Sequence, residues 1–233
     1  MNKSSVKRNL MIVREQDVVV TGGVVFIGDG HTGKTHTALN LVRNKDRYKK
    51  TDLISKSINV EFDYFVYQSN YQQYKFTISA QLFIFPGQKG RAKKGEGLAF
   101  EDALDLYFDV RTVKEVIVLI LTFNLTDIAT FQNLEYWVKT AIENNLVSEA
   151  TNIILLGTHY DKKSNIAVNE TDIIHGKKFV QEQIANELNI DFPLKQITEV
   201  NISNLTEEGI ENLIGAIIDA FFNVFNIDEF NLI

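Results

Sequence analysis

Residues 24–35 read Val-Val-Phe-Ile-Gly-Asp-Gly-His-Thr-Gly-Lys-Thr, and this stretch decides the fold. Its first four residues form a continuous apolar run, as expected for a strand that is buried on both faces. A glycine-rich turn follows, and residues 35–42 take up a helical pattern. Short apolar runs continue to alternate with helix-patterned stretches along the chain. We therefore predict an α/β fold with a mostly parallel sheet.

The turn at 28–35 has the pattern G-x-x-x-x-G-K-T, which between a buried strand and a helix indicates a phosphate loop. Glycines at 28 and 33 let backbone N–H groups converge on phosphate oxygens. Lys34 reaches the terminal phosphates, and the Thr35 hydroxyl can ligate Mg²⁺, the expected cofactor. A chance glycine turn is the alternative, and the flanking elements disfavour it. The expected nucleotide-binding residues here are Gly28, Asp29, Gly30, His31, Thr32, Gly33, Lys34, Thr35 and His36.

Length and composition restrict the remaining possibilities. A chain of 233 residues, 45% hydrophobic and 23% charged, suits one globular domain. Its net charge of −6 argues against a nucleic-acid partner. The absence of cysteine excludes disulfides, thiolate metal sites and a prenyl or palmitoyl anchor. We expect a cytoplasmic protein without a lipid anchor that makes at most peripheral contact with a membrane.

The first fourteen residues contain four basic side chains and no acid: Lys3, Lys7, Arg8 and Arg14. The segment fits a solvated arm or an extra edge strand, with a basic membrane or partner contact as the alternative. We predict an N-terminal basic extension over 1–22 and one domain over 23–233.

Further elements follow from hydrophobic periodicity. Two β-rich segments at 58–67 and 74–85 flank a polar stretch, 68–73, that predicts a hairpin turn. Buried strands are expected at 116–123, 152–156 and 196–202. Helices are expected at 100–110, 128–144, 171–188 and 207–225.

Two later segments indicate a guanine base. Thr158-His159-Tyr160-Asp161 follows a buried strand, and the Asp161 carboxylate can accept from both the ring N–H and the amine of guanine. A turn carboxylate is the alternative. The T-H-x-D pattern resembles the guanine box of Ras-like small GTPases, in the form found in Roc domains. Ser203-Asn204-Leu205 resembles their last box, S-A-K or S-A-L, unless it is simply a strand-to-helix loop.

Residues 121–137 look very like the Rab and Ras stretch D-x-T-x-x-x-S-F-x-N-x-x-x-W, and we expect them to be structural. All boxes occur in order from about residue 24 to the end. The chain thus resembles the Ras-like small GTPases. The resemblance implies a small G domain of the P-loop NTPase fold, whose mixed six-stranded sheet is mostly parallel and flanked by helices. It also implies a monomer.

Residues 84–88, Ile-Phe-Pro-Gly-Gln, occupy the family's D-T-A-G-Q position. The resemblance implies that Gly87 senses the γ-phosphate and that Gln88 orients the attacking water. Ile84 replaces the Asp that holds Mg²⁺ through water. MglA-type bacterial polarity GTPases have a comparable T-V-P-G-Q, which favours a functional variant. Glu61 or Asp63 on the neighbouring strand could supply the missing carboxylate.

The predicted switch segments contain further candidate residues. Ser57 matches the threonine that closes on Mg²⁺ in Rab proteins, and Thr51 is a second candidate. Arg91 is a candidate arginine finger supplied in cis, although a solvated basic loop is the common outcome for such a segment. Gly30 is expected to leave room for Gln88. The span 88–115 predicts an enlarged second switch.

The resemblance implies a GTP/GDP molecular switch that slowly hydrolyses GTP, with Lys34, Gln88 and Arg91 as catalytic candidates. Effectors, a GTPase-activating protein and an exchange factor would bind its switch regions. A nucleotide-binding pseudo-GTPase scaffold is the first alternative, motivated by Ile84. A phosphate-loop kinase is the second, and it would prefer adenine.

Overall fold

The structure, a computed structural model, describes residues 11–14, 17–42, 61–71, 74–90, 98–107 and 115–225. Its strands are β1 (Met11–Arg14), β2 (Asp17–Ile27), β3 (Glu61–Tyr71), β4 (Tyr74–Ile84), β5 (Val116–Asn124), β6 (Asn152–Thr158) and β7 (Ile197–Asn201). Its α-helices are α1 (Lys34–Leu41), α2 (Phe100–Tyr107), α3 (Ile128–Gln132), α4 (Leu134–Glu143), α5 (Glu170–Leu188) and α6 (Ile210–Phe225).

Six strands follow one another across the sheet in the order β3-β4-β2-β5-β6-β7. Neighbours from β4 to β7 run parallel, and β3 pairs antiparallel with β4. The predicted α/β class with a mostly parallel sheet is therefore confirmed. Parallel pairing brings the carboxyl ends of β4, β2, β5, β6 and β7 to one edge, where open α/β sheets bind their ligands.

The short strand β1 pairs antiparallel with the first residues of β2, from Asp17 to Val20. Within the segment 1–22, residues 11–14 thus form an extra strand, and the other basic residues of that segment, Lys3, Lys7 and Arg8, lie outside the described residues. Strand β2 begins at Asp17, so the boundary predicted after residue 22 falls inside this strand.

The alternation of side chains along β2 divides the core between the two faces of the sheet. Val25 and Ile27 belong to the cluster that contains Trp137 of α4. Val24 and Phe26 belong to the opposite cluster, with residues of α1 and α6. Both faces of β2 are covered, which explains the unbroken apolar run that precedes the phosphate loop. Among the described helices, none has both the length and the apolar character to cross a bilayer.

The hairpin predicted around 68–73 is confirmed, because β3 and β4 pair antiparallel, but the strands extend further into this segment than expected: β3 continues to Tyr71 and β4 begins at Tyr74. Gln68 and Asn70 are exposed, and Ser69 pairs across the ladder with Phe76. Their polarity reflects an edge strand that faces solvent, which periodicity alone did not distinguish from a loop.

The single helix predicted at 128–144 is two helices, separated at Asn133. Asp127 caps the first of these helices, since its side chain accepts a hydrogen bond from the Ala129 N–H. The last helix begins at Ile210 rather than at 207, because Glu207 and Gly209 adopt positive φ angles of 64° and 82°. Gly209 lies so close to β7 that a Cβ would stand 2.2 Å from the Asn201 carbonyl oxygen.

Two glycines test how tightly the core is packed. An added Cβ at Gly22 would lie 2.3 Å from Cγ1 of the fully buried Ile117, whereas one at Gly215 meets nothing within 4 Å. We expect Gly22→Ala to lower the free energy of unfolding by about 1–3 kcal/mol through overpacking. Gly215→Ala in α6 should raise it by about 0.5–1 kcal/mol through helix propensity. Urea unfolding measures both, and equal stabilities of the two variants would contradict this packing.

Candidate functional site

The loop between β2 and α1 has the backbone that its glycines predict. Gly28 and Gly33 adopt φ angles of 141° and 86°, and His31 is also left-handed at 63°. At Gly28, a Cβ would stand 2.2 Å from the Thr122 carbonyl oxygen of β5. Only glycine satisfies both the angle and this close approach. The loop is therefore pressed against the central strand of the sheet.

Lys34 places its ammonium inside this loop. Its Nζ donates to the carbonyl oxygens of Gly28 at 2.8 Å and Asp29 at 2.7 Å, and the residue is only 7% exposed. Burial lowers the Lys34 pKa from 10.5 to about 8, although the carboxylates of Asp29 and Glu61 oppose the shift. A further anion bound beside this ammonium would stabilise its charged form, as is required of a lysine that binds phosphate.

The Asp29 side chain leaves the loop and meets helix α4. Asn133 Nδ2 donates to Asp29 Oδ2 at 2.5 Å, and Trp137 Nε1 donates to Asp29 Oδ1 at 2.8 Å. Lys89 Nζ lies 3.9 Å from the same Oδ1. The pattern at 121–137 predicts a structural role and does not predict these contacts. The available signal was the pair Asn133 and Trp137, four residues apart on one helix face, since a buried indole N–H needs an acceptor.

The predicted guanine segment is joined to the phosphate loop through Thr158. Its fully buried hydroxyl lies 2.9 Å from the Thr32 carbonyl oxygen and 3.0 Å from that of Phe123, and it can donate to either. His159 Nδ1 is 2.9 Å from the same hydroxyl. Thr158 thus connects β5, β6 and the loop. The side chains of threonine and of asparagine, the residue common at this position of the guanine box, can both donate the hydrogen bond that this bridge needs.

His159 has a positive φ of 62° and is half-buried. Burial is the main reason why its pKa lies below 6.5, and the charges of Lys162 and His36 lower it further while Asp161 opposes them. The neutral imidazole is therefore favoured near pH 7, and a neutral ring can cover a purine face. Asp161 follows in the same turn and is partly exposed.

The last predicted segment also contacts the phosphate loop, through a side chain. Asn204 Nδ2 donates to the Gly33 carbonyl oxygen at 3.3 Å and to Thr37 Oγ1 at 3.1 Å. Asn204 Oδ1 accepts from Asn40 Nδ2 at 3.1 Å. Ser203 Oγ accepts from the Leu205 N–H at 3.2 Å, so that amide is used inside its own loop. Asn204 stands where the S-A-K box of the Ras-like small GTPases has alanine. Its side chain holds the loop after β7 against α1.

The segment with the predicted catalytic glutamine also approaches the phosphate loop. The Gly30 N–H donates to the Gly87 carbonyl oxygen at 3.2 Å, and a Cβ on Gly87 would stand 2.2 Å from the Gly30 nitrogen. Only glycine allows this approach. Gln88 itself is exposed. A Cβ on Gly30 would meet nothing within 4 Å, so an added methyl group alone would not touch Gln88.

A cavity of about 190 Å³ lies beside the loop and is lined in part by Thr35, Glu61, Asp63 and Ile84. Glu61 is the cross-strand partner of Ile84, so a carboxylate lies next to the position where the family has its Asp. Hydroxyl and carboxylate oxygens are ligands that Mg²⁺ prefers, so these residues fit the ion. Within the described ranges, no three or more His, Asp or Glu side chains gather as a metal site by themselves.

His36, on the first turn of α1, has a buried Nε2 atom that finds no hydrogen-bond partner among the residues that the structure describes. Burial lowers the His36 pKa below 6.5, and the charge of Glu61 opposes this shift. Three further candidates, Thr51, Ser57 and Arg91, lie outside the described residues, as does half of the predicted span 88–115.

The Lys34 pKa predicts an alkaline rise in stability. Below pH 8 the folded protein holds a buried charge that the unfolded chain solvates, and between 8 and 10.5 only the unfolded chain keeps the extra proton. The free energy of unfolding of the nucleotide-free protein should therefore rise by roughly 3 kcal/mol relative to that of Lys34→Met as the pH rises through this window. Urea unfolding at several pH values measures the difference, and parallel profiles for the two proteins would contradict the assignment.

Comparison with known proteins leaves the family open, since no protein-family model and no curated protein matches this chain. The case for a function therefore rests on the residues and their geometry. Four segments that the sequence singled out, around residues 28–36, 84–88, 158–161 and 203–205, lie at the carboxyl edge of the sheet.

Proposed function

We propose that this chain is a small GTPase of the Ras-like type, a GTP/GDP switch that binds guanine nucleotide with Mg²⁺ and slowly hydrolyses GTP to GDP and phosphate. One observation carries the proposal. Both predicted base segments are hydrogen-bonded to the phosphate loop, through Thr158 to Thr32 and through Asn204 to Gly33. A purine and its phosphates could therefore be held by one continuous surface.

The phosphate end supports this function through charge. The Lys34 ammonium, the loop N–H groups and the N-terminus of α1 all offer positive charge to phosphate oxygens. Such preorganised donors stabilise the charge that develops on a phosphoryl group during transfer. Mg²⁺, when bound, would be held by Thr35 and would neutralise part of the phosphate charge, with Glu61 as the adjacent carboxylate.

The hydrolytic step would depend on Gln88. Its side chain is exposed next to Gly87, whose backbone touches the loop at Gly30. A glutamine in that place can accept from and donate to a water molecule and so orient it for in-line attack. A terminal phosphate in contact with the segments around residues 61 and 88 would change how well ordered they are. Partner proteins would therefore recognise these two segments.

A pseudo-GTPase scaffold is the second candidate, and Ile84 favours it. This side chain is 2% exposed and apolar, so it offers no ligand to a metal at the strand end. The two functions differ in single-turnover hydrolysis with bound GTP, in the presence of an activating protein. Identification of the nucleotide that copurifies tests both against a phosphate-loop kinase, which would carry adenine nucleotide.

The role of Gln88 is tested by Gln88→Leu, which removes the groups that would orient water. We expect the single-turnover rate of GTP hydrolysis to fall roughly 100-fold, while GTP affinity stays unchanged. Gln183→Leu on α5 is the matched control and should hydrolyse GTP at the wild-type rate. Unchanged turnover in Gln88→Leu would remove this residue from the mechanism.

The role of Glu61 is tested by Glu61→Gln, which removes the charge and keeps the shape. We expect the Mg²⁺ concentration that half-maximally slows release of a fluorescent GDP analogue to rise about 10-fold. Asp63→Asn tests the second carboxylate of the cavity, and Asp219→Asn on α6 is the control for a lost surface charge. If both cavity variants titrate like wild type, neither carboxylate supports the metal.

A further inference from the structure

The phosphate loop carries a carboxylate that does not face its expected anionic ligand. Asp29 would repel a phosphate if its charge were free, yet it accepts hydrogen bonds from Asn133 and Trp137 and lies 3.9 Å from the Lys89 ammonium. Trp137 is fully buried, so its indole N–H would lack an acceptor without Asp29. The Asp29 carboxylate therefore joins the phosphate loop to helix α4 and to the segment after Gly87.

The backbone on both sides of Gln88 is held as well. The Gly87 carbonyl oxygen accepts from the Gly30 N–H, and the Gln88 carbonyl oxygen accepts from the Phe100 N–H at 3.0 Å. The Gly90 N–H donates to the Tyr136 hydroxyl at 3.0 Å. The Gln88 side chain remains exposed while its own carbonyl group, Gly87 before it and Gly90 two residues after it are anchored.

Helix α4, together with Asn133 directly before it, contacts both the Asp29 carboxylate and the segment after Gly87. Asn133 and Trp137 hold the Asp29 carboxylate, and Tyr136 lies between them in sequence. The Tyr136 ring lies under Lys89, with Nζ 5.0 Å from its centroid, and its hydroxyl receives the Gly90 N–H. Lys89 thus bridges an anion of the loop and an aromatic face of the helix, two contacts that favour an ammonium.

From these contacts we propose that Asp29, Lys89 and Tyr136 act together as a clamp that positions Gln88 over the phosphate loop. Asp29 and Lys89 join the loop to the segment 86–90, and Tyr136 fixes that segment to α4. All three are positioning residues, since they act on the reaction through Gln88. The inference rests on the proposed GTPase function for its effect on rate, but the clamp itself can be observed without hydrolysis.

The test compares Lys89→Ala, Lys89→Arg and Tyr136→Phe in the full chain, with Lys139→Ala as the control. Lys139 is an exposed lysine of α4 whose ion pair with Glu135 does not touch the loop. Amide hydrogen exchange of residues 87–90 is measured with bound GDP, together with single-turnover GTP hydrolysis and GTP affinity. Tyr136→Phe keeps the ring under Lys89 and deletes only the acceptor of the Gly90 N–H.

Lys89→Ala and Tyr136→Phe should speed exchange at 87–90 and slow hydrolysis by about 2–5-fold each, as expected for a partly exposed contact, with GTP affinity unchanged. Lys89→Arg should restore both properties, and Lys139→Ala should match wild type. Wild-type exchange in both Lys89→Ala and Tyr136→Phe would overturn the clamp, as would an arginine variant as defective as the alanine one. A wild-type protein without GTP hydrolysis would refute the proposed function instead, and the exchange data would still decide the clamp.

Discussion

Burial of the Lys34 ammonium is the constraint on which the rest of the site depends. An ammonium removed from water needs acceptors close to it, and the carbonyl oxygens of Gly28 and Asp29 supply them. Those carbonyls can face one cation only if the chain curls back at Gly28, and it can curl there only because no side chain blocks its approach to Thr122. The contact of the loop with the sheet, the turn at Gly28 and the buried charge of Lys34 therefore depend on one another and form one arrangement.

Three neighbouring segments stabilise this arrangement by bonding to the loop from different directions. Thr158 reaches it from the end of β6, Asn204 from the end of β7, and Gly87 from the end of β4. Each contact falls on a backbone group of the loop, so none depends on the loop's own side chains. A change in any one segment is therefore transmitted to the backbone of the predicted phosphate loop, which is the coupling that the proposed switch would require.

The sequence predicts the buried strands and the loop, because each leaves a local pattern of spacing and apolarity. It did not find the roles of Asn133 and Trp137, since their acceptor Asp29 is about a hundred residues away in sequence. It predicted the hairpin but made its turn too long, at 68–73, because the polarity of an edge strand resembles that of a turn. The Asn204 contact also escaped it, because a departure from a family pattern does not say what the new side chain touches. The metal role of Ser57 and the catalytic role of Arg91 remain predictions.

The bond between Trp137 and Asp29 has a practical consequence. The chain contains one tryptophan, and its indole donates directly to the phosphate loop. Indole emission depends on the polarity and hydrogen bonding around the ring, so the protein carries its own optical label at the position where a ligand would act. Changes at the loop can be followed in unmodified protein, with no background from a second indole.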